Sequence, residues 1–183
     1  MLDLLLRNAR VLDGSGNPWY RGDVGLQGDR IVAVGRVGDA DAARVIDCGD
    51  RIVSPGFIDM HSHADVMLLA ERRHEGKIFQ GVTTDVLGQD GLSYAPVSPP
   101  TLQLLRRQIA ACNGNPPVGW DWTTVASFLE RFERRVSVNV AFLVPHAAVR
   151  AEVLGMENRL ASPAELERMQ AMVDEGMADG AVG

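Results

Sequence analysis

The stretch PGFIDMHSH at residues 55–63 decides how this chain folds. A Pro-Gly turn leads into a short apolar segment with the character of a β-strand, and two histidines, His61 and His63, end it. Side chains two residues apart on a strand point to the same side, so Asp59, His61 and His63 are expected to share one face. Two imidazoles on one rigid strand can ligate the same divalent cation, each through one ring nitrogen. The stretch therefore predicts half of a metal site at the carboxyl end of a strand.

Residues 1–54 carry strand signals and almost no helix signal. The segments DVGLQ and RIVAVG flank Gly28-Asp29, a two-residue link typical of a β-hairpin with a primed turn. A further strand is expected at residues 44–47, before the turn at Gly49-Asp50. These features predict a small β-layer that caps a larger structural unit.

Strands and helices alternate after residue 53. Further strands are expected at 81–88 and 138–144, and helices at 65–80, 102–112, 125–132 and after the capping box that begins at Ser162. Within the helix at 102–112, the residues expected on one buried face are Leu102, Leu105, Ile109 and Cys112. Such alternation predicts an α/β fold with a parallel sheet and right-handed crossovers. Three βα units cannot close an eight-stranded barrel of about 250 residues, so this region is either a small open sheet or the front portion of a longer protein.

The composition excludes several functional classes. Hydrophobic residues make up 46% of the chain and charged residues 23%, which is typical of a globular protein, and the net charge of −6 argues against a nucleic acid or an anionic membrane as partner. The two cysteines, Cys48 and Cys112, lie far apart and indicate a reducing compartment. No apolar run approaches the roughly 20 residues that cross a bilayer, and the amino terminus lacks the basic region of a signal peptide. These features predict a cytoplasmic protein.

The order of these motifs resembles the amidohydrolase superfamily of metal-dependent (β/α)8-barrel hydrolases. An amino-terminal β-segment with a Gly-Asp hairpin is followed by PGFIDMHSH and by a helix that ends in GVTT. The continuation GVTTDVLGQDGLSYAPV, with NVAFLVPHAAVR later, is similar to the N-acyl-D-amino-acid deacylase (D-aminoacylase) branch. The resemblance implies that residues 1–54 are the amino-terminal half of a small β-sandwich. It implies that residues 55–183 are the first three to four βα units of a TIM-like barrel, incomplete in this chain.

The resemblance also implies a ligand set. The histidines of the first barrel strand bind metal in that family, which corresponds to His61 and His63 here. A family cysteine after the second strand is a further ligand, and its place is taken by Asp90. A Gly-His pair after the third strand corresponds to Pro145-His146, so His146 is a candidate catalytic residue near the substrate. The family's remaining histidine ligands and its general-base aspartate come from later strands, which this chain does not contain. Zinc is the expected cofactor, as one or two ions.

One of these residues, Asp90, also has a simpler interpretation as a turn residue. Asp90 precedes a glycine, and Asp-Gly is an ordinary turn pair. A carboxylate is a harder ligand than a thiolate and can bridge two cations, so the Asp90 substitution is compatible with metal binding.

Asp59 lies one step deeper on the strand and is expected to orient His61 or a neighbouring ligand by hydrogen bonding rather than to bind the metal itself. His74, among charged residues, is expected on a solvated helix face.

The function that the resemblance implies is metal-dependent hydrolysis of the amide bond of an N-acyl-D-amino acid, a small-molecule substrate, to a carboxylate and a D-amino acid. One alternative keeps the chemistry and changes the substrate to a cyclic amide, as in hydantoinases and dihydroorotases. Another is an inactive truncated fragment, because the general base and two ligands are missing. On this interpretation the 183 residues alone are expected to be inactive.

Overall fold

The computed structural model describes residues 1–38 and 40–183 and divides the chain into two compact units, Met1–Pro55 and Gly56–Gly183. The first unit is a β-sheet without helices in its described residues. Its strands are β1 (Leu2–Val11), β2 (Tyr20–Gln27), β3 (Arg30–Gly35), β4 (Ala42–Asp47) and β5 (Ile52–Val53). They follow the order β3-β2-β1-β4, and β5 also pairs with β1.

The hairpin predicted around Gly28-Asp29 is present. Strands β2 and β3 pair antiparallel up to Gln27 and Arg30, so only two residues connect them. Gly28 has φ +57°, a backbone conformation that a primed turn requires at its first central position and that glycine adopts without strain. The strand expected at residues 44–47 is β4, which pairs in parallel with β1.

The second unit is built on a parallel sheet of three strands in the order β6-β7-β8. The strands are β6 (Phe57–Asp59), β7 (Val82–Leu87) and β8 (Asn139–Phe142). The helices are α1 (Met67–Ala70), α2 (Glu75–Ile78), α3 (Pro99–Gln108), α4 (Ala110–Asn113), α5 (Val125–Leu129), α6 (His146–Leu154) and α7 (Pro163–Ala178). None of the described helices has the length and apolarity that crossing a bilayer demands.

The last residues of the chain run beside β8. The Val182 backbone N–H donates to the Phe142 carbonyl at 2.8 Å, and the Val144 N–H donates to the Gly183 carbonyl at 2.8 Å. Helix α7 precedes this extended segment, and its capping box between Ser162 and Glu165 is formed as predicted. A fourth extended segment thus follows the third βα unit.

The single helix expected at residues 65–80 is instead two short ones. Helix α1 ends at Ala70, and α2 begins only at Glu75. Between them His74 adopts the left-handed conformation, with φ +46° and ψ +44°, which interrupts a right-handed helix. This turn brings the His74 imidazole to the carboxylate of Asp85 at 2.9 Å. A tertiary hydrogen bond therefore overrides the local helical composition.

The helix expected at residues 102–112 bends near its end. Leu102, Leu105 and Ile109 are buried as predicted, but Cys112 is exposed and Asn113 is buried in its place. Helix α3 stops at Gln108 and Ile109 leaves the helical conformation, which rotates the residues of α4 relative to α3.

A close approach between Gly56 and β7 fixes the start of β6. A Cβ on Gly56 would lie 2.0 Å from the Thr83 Oγ1 and 2.6 Å from the Thr83 Cβ, too close for rotation of the threonine to relieve. Glycine is therefore required where the chain enters the second unit. By contrast, a Cβ on Gly76 in α2 would have no neighbouring atom within 4 Å.

Gly56→Ala is expected to lower the free energy of unfolding by about 1–3 kcal/mol, since the added methyl forces β6 away from β7. The matched variant Gly76→Ala should leave stability unchanged or raise it by up to about 1 kcal/mol, because alanine favours the helix. Urea denaturation followed by circular dichroism measures both. Equal stability of Gly56→Ala and wild type would contradict the close approach.

Candidate metal centre

The two histidines follow β6 directly. The strand is shorter than predicted and ends at Asp59, so His61 and His63 lie in the bend after its carboxyl end rather than on the strand itself. The two imidazole rings nevertheless lie together, with centroids 5.3 Å apart. His61 is largely exposed and His63 is half-buried.

Asp90 lies at the carboxyl end of the neighbouring strand β7, in a 3-10 turn at Gln89–Gly91. Two glycines shape this turn. Gly88 has φ +81°, and a Cβ there would lie 2.2 Å from the Leu143 carbonyl oxygen. Gly91 has φ +74° and lies against the backbone of Ala147. Because both glycines press the turn against the segment after β8, they determine where the Asp90 carboxylate points.

The side chains of His61, His63 and Asp90 converge. The Nε2 atoms of both histidines lie 3.3 Å from the same carboxylate oxygen, Oδ2 of Asp90. All three ligand atoms lie within 4.8 Å of one another. Two ligand atoms held about 2.1 Å from a tetrahedral ion would be about 3.4 Å apart. The donor set and its spacing therefore fit a divalent cation.

Asp59 supports the first of these histidines through the backbone. Its Oδ1 accepts a hydrogen bond from the His61 backbone N–H at 3.0 Å, and its Oδ2 accepts one from the Lys77 ammonium group. The bond from Lys77, reinforced by that from His61, holds the pKa of Asp59 below its usual value. Asp59 thus contacts the main chain of a candidate ligand and is not a member of the converging group.

Asp85 is a site residue that the sequence patterns did not reveal. It is fully buried on β7, and its Oδ2 accepts hydrogen bonds from Ser62 Oγ at 3.3 Å and from His74 Nε2 at 2.9 Å. The expectation of a solvated His74 is therefore wrong, because its side chain is only 16% exposed. A carboxylate inside the apolar segment VTTDVL was the available signal, since a buried charge needs partners.

A second buried carboxylate, Asp65, lies beyond His63. Ser93 Oγ donates a hydrogen bond to its Oδ1, and both residues are fully buried. Burial raises the pKa of Asp65 to about 6, against the opposing effect of the Ser93 hydrogen bond. This pair joins the segment after β6 to the segment after the Asp90 turn.

His146 is not one of the three converging side chains. It is the first residue of α6, and its backbone N lies 3.4 Å from a Cβ built on Gly91, so α6 begins next to the Asp90 turn. The exposed imidazole borders a shallow groove between α6 and α7, beside Val149 and Met169. Its role near a substrate stays a prediction.

Two neighbouring parallel strands thus present two imidazoles and a carboxylate at their carboxyl ends. The profile of the amidohydrolase family designated Amidohydro_3 matches residues 44–183. The chain belongs to the amidohydrolase family. The family resemblance drawn from PGFIDMHSH and GVTT is confirmed.

Three relatives that match this amidohydrolase chain over nearly its whole length are deacylases. It is 37% identical to the D-aminoacylase of Alcaligenes xylosoxydans xylosoxydans, over 99% of this chain and 37% of that protein. It is 39% identical to the N-acyl-D-glutamate deacylase of the same organism, over 100% of this chain and 36% of the relative. The chain therefore spans a little over one third of the length of these curated relatives.

Solved structures agree with the fold. A crystal structure of D-aminoacylase matches with a TM-score of 0.84 and 38% identity, over 100% of this chain and 38% of that one. N-acyl-D-glutamate deacylase from Bordetella bronchiseptica, complexed with zinc and a phosphonate inhibitor, matches with a TM-score of 0.82 and 34% identity, over 100% of this chain and 37% of that one. The predicted fold class is confirmed.

Asp65 is expected to make the metal-free chain less stable as the pH rises. Its folded pKa of about 6 lies above the ordinary value of 3.8, so its contribution is fully present below pH 3.8 and is lost as the pH rises through 6. Between pH 4 and pH 7, wild type should lose about 2–3 kcal/mol relative to Asp65→Asn, which cannot ionise. Urea denaturation in the presence of a chelator measures the difference. Parallel pH profiles for the two proteins would contradict it.

Asp90→Ala is expected to weaken Zn²⁺ binding at least tenfold, because it removes the one carboxylate that both histidines approach. Asp90→Cys should retain binding, since a thiolate suits zinc. Isothermal titration and elemental analysis measure affinity and bound metal. The control is Asp121→Ala, which removes an exposed carboxylate that pairs with Arg131 instead. Unchanged affinity in Asp90→Ala would assign Asp90 to the turn alone.

Proposed function

We propose that this chain contributes the first part of the metal centre of an enzyme that hydrolyses the amide bond of N-acyl-D-amino acids, releasing a carboxylate and a D-amino acid. The observation that carries the proposal is the convergence of His61, His63 and Asp90 at the ends of two neighbouring strands. Family membership and the activities of the relatives, D-aminoacylase and N-acyl-D-glutamate deacylase, supply the reaction class.

The ligand set that we propose is His61 and His63 through Nε2 and Asp90 through Oδ2. A bound divalent cation would polarise the amide carbonyl and acidify a water molecule. We propose zinc as the ion, because histidine-rich catalytic sites favour it. The zinc in the Bordetella deacylase structure supports this choice. Asp90 can also bridge two cations, so one or two ions remain within the proposal.

The chain's own residues would hold this centre in place. His61 is tied to Asp59 through its backbone, and the Asp90 turn is tied to the segment after β6 by the Gln89 side chain, which donates to the Met60 carbonyl at 2.6 Å. The two ligand-bearing segments are thus connected to each other. We further propose that the general-base carboxylate lies outside these 183 residues and that His146 lies near the substrate.

The complete gene product that carries this chain, loaded with Zn²⁺, should release D-amino acids from N-acetyl-D-methionine or N-acetyl-D-glutamate, with at least a hundredfold preference over the L-enantiomers. A coupled D-amino-acid oxidase assay measures the release. His63→Ala should weaken metal binding and abolish hydrolysis, because it removes one of the three ligand groups that this chain contributes.

Hydantoin is the comparison substrate for the cyclic-amide alternative. Ring opening of hydantoin without hydrolysis of the N-acyl-D-amino acids would overturn the proposed substrate class while preserving the metal centre. Full activity after chelation and removal of the metal would overturn the centre itself.

A further inference from the structure

The chain has 18 lysines and arginines in total, and Lys77 is the only lysine among them. It lies in α2 and is mostly buried, with its side chain 25% exposed. Its ammonium group donates a hydrogen bond to Asp59 Oδ2 and lies 3.5 Å from Asp85 Oδ1. Burial lowers the pKa of Lys77, but the hydrogen bond to Asp59 and the charge of Asp85 outweigh this effect and raise it overall. The lysine is therefore charged between two carboxylates.

These two carboxylates are register partners in the sheet. Asp59 on β6 pairs with Asp85 on β7, so two negative charges lie side by side on adjacent strands. Like charges in this position repel each other. A cation between them removes the repulsion and links the two strands, and Lys77 is the residue that occupies this position.

Both carboxylates hold the segment that carries the histidines. Asp59 accepts the backbone N–H of His61, and Asp85 accepts the hydroxyl of Ser62, the residue between the two candidate ligands. Ser62 Oγ in turn accepts the Ala64 backbone N–H at 3.3 Å. The segment His61–His63 is thus held by one carboxylate at the end of β6, the strand that it follows, and by another on the neighbouring strand β7.

His74 is a further hydrogen-bond partner of Asp85. Because an ionised carboxylate only accepts hydrogen bonds, the His74 Nε2 must carry the proton that it shares with Asp85 Oδ2. This leaves Oδ1, which has no hydrogen-bond partner among the described residues and lies 3.5 Å from the Lys77 ammonium group. A compact ammonium group suits this position between two strands better than a planar guanidinium does.

We propose that Lys77 is a positioning residue for the metal centre. It bridges Asp59 and Asp85, and these two residues fix the backbone from which His61 and His63 reach the cation. The inference rests on the proposed metal centre and adds to it a residue from a helix that carries no ligand. Removal of a residue that orients metal ligands through hydrogen bonds typically lowers the metal affinity by 10- to 100-fold.

The test compares the Zn²⁺ affinity of the complete gene product that carries this chain, by isothermal titration, for wild type, Lys77→Met, Asp59→Asn and the double variant. We expect Lys77→Met to weaken binding at least tenfold in the wild-type background. In the Asp59→Asn background, Lys77→Met should lower the Zn²⁺ affinity less than threefold, because the Asp59 carboxylate through which Lys77 acts on His61 is already removed. The control Arg131→Met removes an equal charge from the Asp121 pair, which contacts none of these residues, and should leave affinity unchanged.

A second readout needs no metal. In the metal-free protein, Lys77→Met should speed hydrogen exchange of the His61 backbone amide at least tenfold, measured by NMR, while amides of α7 keep their wild-type rates. A uniform increase across both units would indicate general destabilisation and overturn the positioning role.

The outcomes separate the two proposals. If wild type does not bind Zn²⁺, the metal centre fails and the inference fails with it. If wild type binds and Lys77→Met binds equally well, or if the two changes are additive, only the role of Lys77 is overturned. If Lys77→Met does not melt cooperatively, the Zn²⁺ affinity of Lys77→Arg is measured instead. This variant keeps the positive charge but disturbs the contacts with Asp59 and Asp85. A loss of at least threefold in Lys77→Arg supports the inference, and wild-type affinity overturns it.

Discussion

The pairing of Asp59 with Asp85 across β6 and β7 is the constraint on which this site depends. A parallel register places the two carboxylates side by side, and burial of Asp85 makes their repulsion costly unless cations and hydrogen-bond donors compensate it. Lys77, His74 and Ser62 supply that compensation. The irregular segment between α1 and α2 follows from the same need, since His74 leaves the helical conformation to reach Asp85.

The candidate metal centre lies next to this pair of carboxylates. Adjacent parallel strands bring their carboxyl ends together, and the two segments that follow carry the histidines and Asp90. This is the side on which barrel enzymes of this architecture build their sites. Glycines at positions 56 and 88 allow the strands and the turn to approach closely enough for the three side chains to meet. The geometry of the candidate site depends on backbone packing as much as on the three converging side chains.

Local patterns predicted much of this structure. The Gly-Asp link indicated the hairpin, the alternation of apolar segments indicated the parallel sheet, and the spacing of His61 and His63 indicated the pair of imidazoles. Asp90 required the family resemblance, because Asp-Gly alone is typical of a turn. The partnership of Lys77 with Asp85 was not predictable, since each residue is ordinary within its own segment and only the strand register brings them together. His74 was misassigned for the same reason.

The presence of a single lysine in these 183 residues has a practical consequence for chemical labelling of the chain. Amine-directed reagents such as succinimidyl esters have one side chain to attack, and in the folded state its nitrogen is engaged by carboxylates. Acylation of that position would require β6, β7 and α2 to separate transiently. The rate at which Lys77 is labelled would therefore report how often this part of the sheet opens.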